Sequence, residues 1–159
     1  VAQLEGTREE QELAHARLNL CAAFLSLDQL QPARQTAVLG WKMAERFGMQ
    51  AWWADYLSLL AALDGRPQAA ALLLGFADTA YERTQDQREP NEAVAAGRVR
   101  QQLGTSLNAN ATQVLLAAGA LLPEASVAAL ALEPVLLSAD VTVAAKENAE
   151  RDLPPNSAG

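Results

Sequence analysis

Residues 57–77 read Leu57-Ser58-Leu59-Leu60-Ala61-Ala62-Leu63-Asp64-Gly65-Arg66-Pro67-Gln68-Ala69-Ala70-Ala71-Leu72-Leu73-Leu74-Gly75-Phe76-Ala77. An apolar run ends in a Gly-Arg-Pro turn, and a second run rich in small residues follows. Glycine terminates helices and proline suits a first helical position, so the stretch predicts a helix-turn-helix. The same pattern occurs 36 to 37 positions earlier. At a lag of 37, Leu20 maps to Leu57, Cys21 to Ser58, Phe24 to Ala61, Ala33 to Ala70 and Gly40 to Ala77, each keeping its size or apolar class. Self-similarity at such a period is the signature of an α-helical repeat protein, in which each unit buries its apolar face only against its neighbours.

A tetratricopeptide unit is about 34 residues long, with small residues where its two helices touch. The expected fold is therefore all-α, a right-handed array of antiparallel helix pairs of tetratricopeptide-like form. Working outward, Thr7 and Glu10 have capping-box spacing, which predicts a first helix from there to about Asp28. Its core face is assigned to Leu13, Leu20, Phe24 and Leu27. Helices are further expected from Pro32 to Phe47, Gln50 to Asp64, Gln68 to Arg83, Asn91 to Leu103, Ser106 to Ala118 and Pro123 to Leu132, with one more over Ala139–Glu150. Gly48 is the expected left-handed stop of the second helix. Residues 1–132 form the predicted helical-repeat domain, and the polar loop near 84–90 separates the first two helix pairs from the rest. Residues 133–159 are a C-terminal extension, partly disordered, with a frayed tail from Leu153.

Composition narrows function. The chain has 159 residues, half of them hydrophobic but only 5% aromatic, so its core must come from Ala and Leu at close helix contacts. A formal net charge of -7, with lysine only at Lys42 and Lys146, leaves little to neutralise a phosphate backbone, so no direct nucleic-acid partner is expected. The apolar run from Val114 to Leu137 is cut by Pro123 and Pro134, well short of the roughly 20 residues of a spanning helix, and no membrane partner is expected. Cys21, the single cysteine, permits no internal disulfide and reads as a buried structural thiol in a reducing, cytoplasmic setting. The opening at Val1 reads as that of an excised fragment.

No catalytic, cofactor or metal site is expected. A phosphate-cradling G-x-x-x-x-G-K-[ST] loop is missing, His15 lacks clustered acidic ligands, and no serine, histidine and acid constellation can be assembled. The sharper expectation is a binding groove. If the first helices of the two units line one side, the groove carries His15, Leu18, Ala22 and Leu25 from one and Trp52, Asp55, Leu59 and Ala62 from the other. Trp53, about 100° around the helix from Trp52, falls on the core stripe instead. Admissible occupants are the chain's own C-terminal segment, a second protomer forming a homodimer, a peptide or protein partner, or a small apolar ligand.

The stretch Leu57–Pro67 followed by Ala69–Ala77 resembles the C-terminal helical repeats of large bacterial signal-transduction ATPases and transcriptional regulators. Arg100-Gln101-Gln102-Leu103-Gly104 and Ala128-Ala129-Leu130-Ala131-Leu132 are similar to the closing elements of that region, so the likeness covers about Trp52 to Leu132. In that family the ATPase and DNA-binding parts lie outside the repeats. The resemblance implies a domain for protein interaction or signal sensing within a larger regulator of transcription, and brings no catalytic residue. The alternative reading is a free-standing small-molecule sensor with a ligand pocket between helices.

Overall fold

The computed structural model describes residues 2–132, with side chains from residue 7 onward. The helix expected over Ala139–Glu150 and the tail from Leu153 lie outside the described residues. Six helices are α1 (Ala2–Ser26), α2 (Leu30–Phe47), α3 (Gln50–Leu63), α4 (Pro67–Thr84), α5 (Pro90–Ser106) and α6 (Ala109–Gly119), and residues 124–132 form α7. The described residues contain no strand, and none of their helices is long and apolar enough to cross a membrane.

The 37-residue lag is written into the backbone geometry. Asp28 and Gly65 both have positive φ, at 53° and 70°, in the turns that end α1 and α3. One residue on, the Gln29 amide donates to the Phe24 carbonyl at 2.8 Å and the Arg66 amide to the Ala61 carbonyl at 2.9 Å. The ends of α2 and α4 correspond in the same way, through left-handed Gly48 and Gln85, followed by amide bonds from Met49 to Ala44 and from Asp86 to Tyr81. Inside each hairpin a short side chain ties the two helices together. Cys21 Sγ donates to the Ala33 carbonyl at 3.6 Å, and Ser58 Oγ to the Ala70 carbonyl at 2.7 Å. An alanine opposite a small donor lets the helix axes close until a side chain reaches backbone. Burial drives the Cys21 thiol up to about 12, so it stays a neutral packing group.

Beyond α5 the pattern changes. α6 lies mainly against α4 and touches α5 little. A Cβ on Gly75 would run into the Leu116 carbonyl, and one on Gly119 into the Leu72 carbonyl. As the α4 position falls the α6 position rises, so the two helices cross antiparallel with almost nothing between their backbones. α7 covers the outer side, where Arg66 donates to the Leu130 and Ala131 carbonyls at 3.0 Å each, satisfying acceptors that a helix end leaves free.

Three expectations are corrected. α1 begins at Ala2, earlier than the Thr7 spacing implied. Its buried face is Ala14, Leu18, Cys21, Ala22 and Leu25, whereas Leu13, Leu20 and Leu27 are exposed. The leucine spacing marks a genuine stripe, but α2 and α3 cover the neighbouring side, where small residues allow close approach. Leu57, the repeat equivalent of Leu20, is buried because it faces the first hairpin, and no described element stands in that place before α1. Third, α5 runs through Gly104 to Ser106, and α6 starts after Asn108, whose side chain accepts the Ala111 amide at 2.8 Å. A side-chain cap outweighs a helix-weakening glycine in setting the boundary.

The glycines give a direct test. Gly75→Ala and Gly119→Ala collide with backbone and are expected to destabilise the fold by about 1–3 kcal/mol each. Gly97 and Gly104 have open space where a Cβ would go, so alanine there is expected to stabilise by about 0.5–1 kcal/mol. Urea denaturation of the four variants measures both signs.

Candidate functional site

α3 lies between α1 and α5, and the three run in one direction: residues near 15–19, 52 and 89–92 meet at one level, and residues near 22–26, 56–59 and 94–98 at the next. They form a trough with α3 as its floor. Trp52, Tyr56 and Leu59 recur every three to four residues and so project from one side of α3. α1 forms one wall and α5, with the loop before it, the other.

The trough contains two clefts in sequence. One, of about 90 Å³, is lined by His15, Leu18, Asn19, Trp52, Glu89 and Glu92. The other, of about 240 Å³, is lined by α1, Tyr56 and Leu59 of α3, and Val94, Ala95 and Arg98 of α5. Between them Tyr56 Oη donates to Glu92 Oε1 at 2.6 Å. Burial and the Glu92 carboxylate push the Tyr56 phenol well above its usual range, so it remains the donor. The second cleft ends where Arg98 bridges to the Leu25 carbonyl at 2.9 Å and Asp28 at 2.8 Å.

The expected groove residues divide accordingly. His15, Leu18 and Trp52 line the first cleft, and Ala22, Leu25 and Leu59 the second. His15 and Trp52 are in ring contact, with centroids 5.5 Å apart, and His15 Nδ1 lies 2.9 Å from the Gln11 carbonyl. Asp55 and half-buried Ala62 line neither cleft. Leu18, Ala22 and Leu25 are buried where α1 packs on α2 and α3, and Leu59 where α3 meets its neighbours, so the groove is narrower than expected.

Asp55 is fully buried and answers Arg88, which reaches in from the loop before α5. Arg88 Nε and Nη2 donate to its two oxygens at 2.8 and 2.9 Å, Nη2 also reaches Asp78 at 2.7 Å, and the guanidinium lies 4.6 Å from the Tyr81 ring centroid. Arg100 holds Asp78 from the other side at 2.8 Å. Burial raises Asp55 to about 6, helped by Asp78 and Glu92 and opposed by Arg88. Burial disfavours the Arg88 charge, but its bonds to Asp55 and Asp78 more than reverse this and hold it fully charged. The network pins the loop to α3 and α4, setting the position of Glu89 and Glu92.

Sequence reasoning missed Tyr56, Arg88, Glu89, Glu92 and Arg98. The run from Thr84 to Glu89 has no periodicity to reveal that Arg88 turns inward. Glu92 sits among alanines that are equally compatible with a buried or a solvated face. Among the described residues, no group of three His, Cys, Asp or Glu side chains could hold a metal ion.

Two measurements check this geometry. Trp53 is fully buried and fills the notch left by Gly40, whereas Trp52 is partly open to the first cleft. Trp53→Ala is expected to cost roughly 3–5 kcal/mol in chemical denaturation, and Trp52→Ala clearly less. For Asp55 the native pKa of about 6 lies above its ordinary value of 3.8, so its contribution to stability is full at acid pH and is lost as pH rises through 6. Between pH 4.5 and 7.5 the wild type should lose on the order of 2 kcal/mol relative to Asp55→Asn. Urea titrations at both pH values would show a constant difference if Asp55 were unshifted.

Compared with known proteins, the chain matches no family model, no curated protein and no solved structure, so the trough must be interpreted from its own chemistry.

Proposed function

We propose that the chain is a tetratricopeptide-like interaction module of a larger cytoplasmic transcriptional regulator, and that it holds a segment of a partner protein in the trough between α1 and α5. The observation that carries this reading is the succession of two clefts along α3, one beside Trp52 and one beside Tyr56 and Leu59, with the Arg98–Asp28 bridge beyond the second. Its α1 wall runs from His15 to Ser26, about 17 Å at the helical rise, which suits several residues of an extended segment. The repeat geometry of the hairpins and the resemblance of residues 57–77 to regulator repeats support the setting.

The alternative, a small-molecule sensor, fits the trough less well. Sites for drug-sized ligands usually span about 300–1,000 Å³, and the larger trough cleft measures about 240 Å³ while remaining open along its length. A peptide can use both clefts with little enclosed volume, placing one side chain in each.

Selection of a displayed random-peptide library on the intact chain tests the proposal. Recovered peptides should compete for one site and bind at least about tenfold more weakly to Trp52→Ala, a loss expected when one aromatic anchor is truncated. A failure to enrich, or peptides indifferent to substitutions at Trp52 and Leu59, would remove the trough as the binding surface.

A further inference from the structure

The acidic end of the trough has chemistry of its own. Glu92 is 5% exposed, with one carboxylate oxygen committed to Tyr56. The other, Oε2, is buried and has no hydrogen-bond partner. Buried carboxylate oxygens rarely remain unsatisfied, because each gives up hydration without replacement. Glu89 stands on the same cleft, exposed, and among the described residues no ion pair reaches either carboxylate. The nearby Arg88 spends Nε and Nη2 on Asp55 and Asp78 and makes no ion pair with Glu89 or Glu92. The cleft therefore sets two carboxyl groups without an ion pair beside the rings of Trp52 and His15.

We propose that this cleft is a binding site for an organic cation, the ammonium end of a slim aliphatic stem such as a lysine side chain. An ammonium donates three hydrogen bonds, enough for exposed Glu89 and, once the Glu92 carboxyl turns its closed-off Oε2 toward the cleft, for Glu92 as well. Its methylenes lie against Leu18, and its charge is attracted to the face of Trp52, the strongest of the aromatic partners for a cation. The volume of about 90 Å³ admits the last carbons and the nitrogen of such a chain. That the stem belongs to a partner's lysine rests on the trough reading above; the cation chemistry of the cleft does not.

The test uses n-butylammonium, with 1-butanol as a neutral control of similar shape, titrated into the full chain while the Trp52 indole N–H resonance is followed by NMR. Saturable shifts with butylammonium, little response to butanol and weakening by added salt are expected. Glu92→Gln should weaken binding by about tenfold or more, as for loss of a charged hydrogen-bond acceptor. Because that variant also alters the bond to Tyr56, Glu89→Gln provides the second reading: its side chain is exposed and makes no hydrogen bond, and it should weaken binding without changing the unfolding curve. Equal responses to the two probes, or unchanged affinity in both variants, overturn the proposal. The two readings fail separately. Selected peptides that bind the trough without a basic residue would sink the assignment of the cleft to a partner's lysine, whereas butylammonium binding without any peptide binding would support the cleft and sink the trough.

Discussion

Helix separation governs this molecule. Where α1 meets α2 and where α3 meets α4, the side chains at the crossing are so small that Cys21 and Ser58 can donate directly to the carbonyls of Ala33 and Ala70. An alanine core buries little area per residue, so it must gain from dispersion at short range what it lacks in side-chain volume. The few large residues are fitted to this frame individually, as Trp53 is to the notch at Gly40. Such packing leaves little freedom for the direction in which each first helix points.

The trough follows from that restriction. Because the two hairpins share a turn geometry, α1 and α3 present the same side to the same space, and α5 completes the row. Its placement combines apolar packing through Ala95, Ala96, Val99 and Leu103 with a charge network at its start. Arg88 bridges two aspartates, one fully buried, and so carries the start of α5 to a fixed place. Removing one member of such a buried pair strands the other, which makes the arrangement selective for a single loop conformation. Of the buried polar atoms left without a hydrogen-bond partner among the described residues, Glu92 Oε2 belongs to a residue on a cleft wall, whereas Trp53 and Tyr81, which carry others, line neither cleft.

Much of the helical framework was legible in the sequence, because periodicity, prolines at helix starts and the glycine at position 48 act locally. The 37-residue lag was legible too, in Cys21 with Ser58 and Ala33 with Ala70, which the fold brings together in the same way in each hairpin. What local signals could not convey was which side of a helix has a neighbour. Leu13, Leu20 and Leu27 have ideal core spacing, yet nothing among the described residues covers them. Half of the trough was visible in His15, Leu18 and Trp52, whose helices recur in register. The other wall was not, because α5 joins the site through Arg88, a charged residue in an aperiodic loop, and its position depends on contacts more than 30 residues away in sequence.

The paired glycines of α4 and α6 act as an interlock. Leu74 and Phe76 flank one, and Ala118 and Ala120 the other, so sliding either helix by a single residue would force a Cβ into a space that holds only backbone. The crossing therefore has one permitted setting and no neighbouring one, unlike a leucine seam, which can creep by changing rotamers. Docking of the outer layer is fixed by where each glycine meets the backbone of the other helix and not by how far the chain has travelled to bring them there.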